Sequence, residues 1–352
     1  MRKILIIGLV ALLPVVLAYG FADATITATS CVTCHTMHNS QGGTVVVSAG
    51  PQEALVNKAG CTGCHAQNTA SNIITGIPQV LHTGTDLAAG NFSYASSSQT
   101  KVHNVDDLGA TYGAQDTVLL NNPPGYLSGY DPAATDFNTS SRLKCAGQNG
   151  CHGDRDQSSE AAAVRGGHHT SDSVLKFGSI AEGSQGGSVA TSYRFLYKVK
   201  GGEETSWSNT SATVHNEYKG AVFATRTGLT WDNVDTISEL CSECHGNFHA
   251  STDIRKKPYI GRSPWLRHPT DVVLPSTGEY ASTSTTYNIE TPLARQTITT
   301  LSDTITPGRD IVMCLSCHKA HGSEYADILR FDYSTLAAGT GCLRCHTGKS
   351  AY

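Results

Sequence analysis

Cys342-Leu343-Arg344-Cys345-His346, near the C-terminus, reads C-x-x-C-H. Alone it fits half a zinc site, a redox dithiol or a haem anchor. Its siblings separate these readings. The 12 Cys of the 352-residue chain fall in six pairs, and four more pairs share the wording: Cys31/Cys34/His35, Cys61/Cys64/His65, Cys241/Cys244/His245 and Cys314/Cys317/His318. This is the attachment signature of c-type haem. Two thiols add to the porphyrin vinyl groups, and the His that follows turns under the ring to bind iron. Zinc sites need two C-x-x-C halves but no His directly after each second Cys. Disulfides suit an exported chain but do not require that His either. Thioredoxin-like dithiols occur once per domain, inside a βαβ pattern absent from this sequence.

The sixth pair is irregular. Lys144-Cys145-Ala146-Gly147-Gln148-Asn149-Gly150-Cys151-His152 puts five residues between the thiols. Gly147 and Gly150 would let the excess bulge outward while Cys145 and Cys151 still reach one ring. A Cys145–Cys151 disulfide with an incidental His152 is the competing reading. The retained Cys151-His152 order favours haem, which gives six covalently bound haem c groups, the third at a C-x5-C-H site.

Six such groups take His35, His65, His152, His245, His318 and His346 as proximal iron ligands, leaving nine of the 15 His for six distal positions. Every iron can therefore be bis-His. Met ligation would raise the potential, but Met37 and Met313 adjoin attachment motifs and are badly placed to cap the far side of their own haems. His38 and His321 each lie three residues after a proximal His. Positions i and i+3 share a helical face, so His38 cannot cap the haem held by His35; it serves another haem or none. His321 is expected to cap the haem of the final motif. His103 and His268 sit in apolar or turn-forming contexts that suit a fixed ligand, and His82 follows the similar Val80-Leu81. Of His168 and His169, one is expected to ligate and the other to pack, with His169 preferred. The distal set is then His38, His82, His103, His169, His268 and His321, with His168, His215 and His249 as alternates.

Composition bounds the rest. Arg2 and Lys3, the apolar Ile4-to-Leu17 run and Ala22-Asp23-Ala24 make residues 1–24 a cleavable signal peptide. The apolar run is shorter than the roughly 20 residues of a spanning helix, and no later segment is long and apolar enough to cross a bilayer, so the mature chain carries no transmembrane segment. Net charge is −4 with 15% charged residues, which argues against nucleic acid, whose binding needs a concentrated basic face. Gly, Ser and Thr are abundant and aliphatics modest, so the chain is poorly equipped to bury a core of its own. Three motifs fall in residues 25–155 and three in 240–352, with a haem-free region at 156–239. Alternation predicts a strand over Ser192 to Val199, with further short strands at Thr44 to Ser48 and Gln296 to Thr306 and a short helix from Gln52 to Ala59. The expected fold is mostly irregular coil with short helices and a few short strands, wrapped around a chain of six haems. At roughly 55 residues per haem, such density is a charge-transfer design in which the cofactor carries the chemistry.

The motifs resemble the OmcS-like hexahaem c-type cytochromes, outer-surface proteins that polymerise into conductive filaments of metal-reducing bacteria. The resemblance rests on Cys31-Val-Thr-Cys-His-Thr-Met-His-Asn-Ser-Gln-Gly-Gly, Val102-His103-Asn104, Cys241-Ser-Glu-Cys-His with Leu266-Arg267-His268-Pro269, Cys314-Leu-Ser-Cys-His-Lys-Ala-His and the terminal Cys342-Leu-Arg-Cys-His. It implies that His38 ligates the iron held by His318 in the next subunit, and a head-to-tail contact that does not close generates a helical filament. The third motif departs from the family, which has ordinary spacing there and a His three residues later; here Gly153-Asp154-Arg155 follows, and His168, His169 or His215 would have to supply that ligand. The function expected is electron transfer along six bis-His haems to extracellular acceptors or other redox cytochromes, as the subunit of a surface filament. The alternatives are a monomeric periplasmic or surface shuttle and, less favoured, a reductase of nitrogen or sulfur oxyanions. No catalytic residue is assigned, because every motif ends in His and distal His are in surplus.

Overall fold

The computed structural model describes residues 30–112, 122–126, 142–170, 176–177, 179–203, 207, 209–222, 235–249 and 268–349. The expected signal peptide lies outside them. Within them, no α-helix exceeds the six residues of Ile237–Ser242. Helices this short are not self-supporting in water and persist only where tertiary contacts hold them. The strands are two or three residues long and form five separate two-stranded ribbons. Most of the chain is coil and 3-10 turn, as the sequence implies.

Three expected elements take other forms. The Ser192-to-Val199 stretch is a turn: Arg194 and Phe195 both have positive φ, inside a 3-10 segment Tyr193–Phe195. Tyr193 and Val199 are buried together, so its alternation reflects two core anchors at the ends of a loop. Over Gln52 to Ala59 only the 3-10 turn Glu53–Leu55 forms, broken by Ala54 at φ 56°. Gln296 to Thr306 forms no strand. Thr44–Val45 does, paired antiparallel with Ser40–Gln41.

The apolar interior is split into three small clusters, around Ile311 and Met313, Leu81 and Val102, and Leu274 and Leu293. Each packs against one attachment thiol, respectively Cys241, Cys145 and Cys345. The cores therefore sit beside the groups that would carry porphyrin.

Candidate functional site

All five regular motifs fold into the same single turn. The His amide donates to the carbonyl of the first Cys at 2.8 Å in Cys31–His35, 2.9 Å in Cys61–His65, 3.0 Å in Cys241–His245, 3.2 Å in Cys314–His318 and 3.0 Å in Cys342–His346. One helical turn sets the thiols, at i and i+3, on one face with the imidazole just beyond. The neutral Nδ1 edge of each proximal ring is then fixed by a partner far away in sequence: Ala54 O for His35, Pro78 O for His65, Pro124 O for His245 and Asp327 O for His318. His346 differs, meeting the Glu279 carboxylate at 2.8 Å. The hydrogen bond from His346, and after it that from Lys349, holds the Glu279 carboxyl down at about 2. With Nδ1 occupied, Nε2 is the nitrogen left free for a metal.

The irregular motif reaches the same end by another route. Lys144–Ala146 and Gly150–His152 pair as parallel strands, with Lys144 opposite Gly150 and Ala146 opposite His152. Cys145 and Cys151 are thus set side by side on adjacent strands, about 4.8 Å apart along the ladder, a separation similar to i and i+3 on a helix. The extra residues loop out. Gly150 is required there, because a Cβ would meet the Ala146 backbone at 2.5 Å. Both thiols are free in the structure, and His152 Nδ1 is tethered to Arg194 O at 2.9 Å like the other proximal rings.

All 15 His fall within the described residues. Five proximal rings each face one other imidazole: His35 with His169 at 5.9 Å between centroids, His65 with His168 at 6.1 Å, His152 with His321 at 6.3 Å, His245 with His103 at 6.2 Å and His346 with His268 at 6.1 Å. Two imidazoles that would hold one metal between them, each bonded at about 2.0 Å with its centroid about 1.2 Å behind the nitrogen, would stand about 6.4 Å apart. The donor set therefore fits bis-His haem at five motifs. Desolvation also favours it. Burial pushes His168 and His245 down to about 4 and His321 to about 3, so these imidazoles are neutral at pH 7, as metal ligation requires.

The sixth proximal ring, His318, is exposed, and no imidazole faces it among the described residues. The remaining open ring is His38, also exposed. Consecutive left-handed residues, His38 and Asn39 at φ 56°, throw it outward. Asn39 pins that turn: its Nδ2 donates to Val47 O at 2.7 Å, and its Oδ1 accepts from Val47 N at 2.9 Å. Such backbone is costly for side chains other than Gly and is kept where the surroundings over-determine it. Val32, Met37, Val45 and Leu55 on the same lobe are exposed too, Met37 by 74%.

Three His are sealed: His82 at 0% exposure, His215 at 1% and His249 at 4%. All three rings are enclosed by protein atoms. His82, expected as a cap, instead contacts Asn91, whose Nδ2 donates to His82 O at 2.6 Å. His215 stacks on Tyr287 at 3.6 Å and meets Glu217; His249 lies against Asp271 at 3.1 Å. His168, held as an alternate, takes the place expected of His82, and both members of the 168–169 pair face motif imidazoles. They come from the region expected to be haem-free. His321 faces His152, in the irregular motif, instead of the final motif's His346.

The thiols also reveal the order of the motifs in space. Cys64 is raised by burial and then by Cys34; Cys145 is raised chiefly by its contact with Cys61. Cys241 is raised first by its contact with Cys314, with Cys151 also acting on it. Cys317 is pushed up to about 12 by burial, then Cys342 and Cys345. Each motif therefore neighbours the next in sequence, first to sixth. Cys314 contacts Cys241, so the fourth and fifth motifs are crowded together there. The backbone still holds the expected pair in one turn, with Cys244 N donating to Cys241 O at 3.3 Å, and Cys244 is half-buried. Glu160 shares a cluster with Cys61 and Cys145, and Asp107 Oδ2 accepts from the Cys145 backbone amide at 2.7 Å.

Residues 308–351 match the family model described as the doubled CXXCH motif. Over 384 aligned positions the chain is 25% identical to the C-type cytochrome OmcS of Geobacter sulfurreducens, covering 88% of this chain and 81% of that one. Two solved structures are similar. The outer membrane cytochrome S filament of Geobacter sulfurreducens gives a TM-score of 0.45 at 18% identity, over 90% of this chain and 87% of that one. The OmcS nanowires of the same organism, solved by cryo-EM, give 0.48 at 20%, over 88% and 86%. By its attachment motifs and this relationship, the chain is similar to the OmcS-like multihaem c-type cytochromes.

Proposed function

We propose that this chain carries six haem c groups in one continuous row, each iron held between two imidazoles, and that it conducts electrons as the repeating unit of an extracellular filament. Haem c supplies the one-electron carrier when bound; the chain supplies its spacing, its ligands and its exclusion of water. Cys31/Cys34, Cys61/Cys64, Cys145/Cys151, Cys241/Cys244, Cys314/Cys317 and Cys342/Cys345 anchor the groups. His35 with His169, His65 with His168, His152 with His321, His245 with His103 and His346 with His268 would hold five of the irons. Two imidazoles at each of these five would leave none of them open to substrate, which favours a carrier over an oxyanion reductase.

The observation that carries the filament reading is the arithmetic of what is left over. One proximal ring, His318, and one outward-thrown ring, His38, each face no other imidazole among the described residues, and both are exposed. His38 of one copy completing the site at His318 of the next uses every open imidazole once. The contact is head-to-tail and propagates instead of closing. The exposed Val32, Met37, Val45 and Leu55 around His38 are the apolar surface such a joint would cover. The relative's assembly as nanowires is consistent with this. Export of the chain with its signal peptide would deliver it to the cell surface, with other redox cytochromes or extracellular acceptors as partners. No described helix is long and apolar enough to cross a membrane.

Electron microscopy of the secreted protein, at a resolution that shows haems, tests the reading. Filaments with six haems per repeat and an imidazole crossing each joint are expected. A purely monomeric protein would leave the shuttle as the surviving account.

A further inference from the structure

Among the described residues, seven of the eight hydrogen bonds that fix Nδ1 of a paired or proximal imidazole are made with neutral backbone carbonyls. These are Ala54 O, Pro78 O, Arg194 O, Pro124 O and Asp327 O for the proximal rings, and Ala320 O and Pro269 O for His103 and His268. The eighth is different in kind. His346 Nδ1 lies 2.8 Å from Glu279 Oε1, a carboxylate.

We propose that Glu279 is a potential-setting residue that makes the haem of the sixth motif the hardest of the six to reduce. It acts through His346. An ionised carboxylate pulls the Nδ1 proton harder than an amide carbonyl does, and charge-assisted bonds are roughly twice as strong as neutral ones. The imidazole gains anionic character and becomes a stronger donor at Nε2. A stronger axial donor stabilises ferric over ferrous iron and so lowers the potential, second-shell hydrogen bonding being one of the levers a protein has on haem.

The contact is built, not incidental. Glu279 stands in the 3-10 turn Gly278–Tyr280, whose backbone is stitched to the segment after His346. Gly348 N and Thr347 Oγ1 both donate to Glu279 O at 2.8 Å. A Cβ at Gly348 would lie 2.9 Å from Glu279 Cα, so the glycine allows the two segments to meet. Tyr280 covers the His346 ring, centroids 5.0 Å apart. Lys349 Nζ holds the other carboxylate oxygen at 3.1 Å, which tempers the effect, as does the 28% exposure that both side chains retain. The remaining asymmetry still singles out one motif. An electron arriving at the sixth haem would reside there least and pass on most readily.

The inference rests on the reading of Cys342/Cys345/His346 as a haem site, and the test separates the two. Potentiometric titration of the full-length haem protein, followed by optical and low-temperature EPR spectra, resolves the midpoints. A Cys342→Ser/Cys345→Ser chain identifies the sixth haem by what disappears; six haems retained in that chain would remove the site itself. With the site identified, Glu279→Gln is expected to raise that midpoint alone, and Glu279→Asp to restore part of the shift. Lys349→Ala is expected to move it the opposite way, since the carboxylate then bears wholly on His346. A sixth-haem midpoint unchanged in Glu279→Gln and Lys349→Ala, or one that is not the lowest of the six, overturns the proposal.

Discussion

His168 and His169 are adjacent in sequence yet face imidazoles from different motifs, His168 toward His65 at 6.1 Å and His169 toward His35 at 5.9 Å. Neighbouring residues on an extended or turning backbone point to opposite sides, so one dipeptide can serve two irons. It also staples the first two motifs to a region that carries no thiols. Substituting either residue by Ala is expected to convert one haem, and a different one in each case, from low-spin to high-spin. Resonance Raman or EPR spectra of the two single variants check this. An unchanged spectrum in either would remove that residue from the ligand set.

His82 is expected to behave unlike any ligand. It is fully buried, and Asn91 depends on it for a 2.6 Å hydrogen bond to its carbonyl and a 3.3 Å contact to its ring. Replacing His82 by Ala keeps the carbonyl bond but empties a fully buried site, so every haem should stay low-spin while stability falls by about 2 kcal/mol. Denaturant titration with parallel haem spectra separates the two effects.

The same residue predicts a pH dependence. Burial holds the His82 imidazole below its ordinary value, against an opposing pull from Asp86. Its unfolded value is about 6.5, so between that pH and the lower folded value the unfolded chain binds the extra proton. The stability linked to His82 is therefore fully present above about pH 6.5 and falls as the pH is lowered. His82→Asn should flatten that part of the stability profile. An identical slope in both proteins would contradict the assignment.

The parallel ribbon at Cys145 and Cys151 predicts a haem count. Pyridine haemochrome analysis against protein mass should give six per chain, and five when both thiols are changed to Ser. Five in the unaltered chain would return the irregular pair to the disulfide reading.

The attachment residues are legible in the sequence because thiols and proximal His are local: five consecutive positions make one turn whatever surrounds it. Distal ligands are not local. His103 meets His245 only because its own backbone and ring bind His321 and Ala320 carbonyls, more than 200 residues away. No spacing rule carries that. Nor does spacing foretell that Cys241 meets Cys314, since contact between motifs is set by the tertiary fold. His82 misleads for a related reason. The apolar Val80-Leu81 before it suggests a fixed ligand, but those neighbours seal it into the Leu81 and Phe92 cluster instead. Ser192 to Val199 alternates like a strand, yet Arg194 must turn to offer its carbonyl to His152. Local propensity is overridden where the chain bends to tether a proximal ring. His38 is the opposite case, since its i+3 spacing from His35 already excludes it from its own haem.

The central claim is that His38 of one copy completes the site at His318 of another, and the high-spin haem content of His38→Ala measures it most directly. Quantitative EPR of the assembled unaltered protein should show essentially no high-spin haem. The variant should show one in six, together with loss of filaments under the electron microscope. A variant that remains wholly low-spin and still forms filaments would contradict the account.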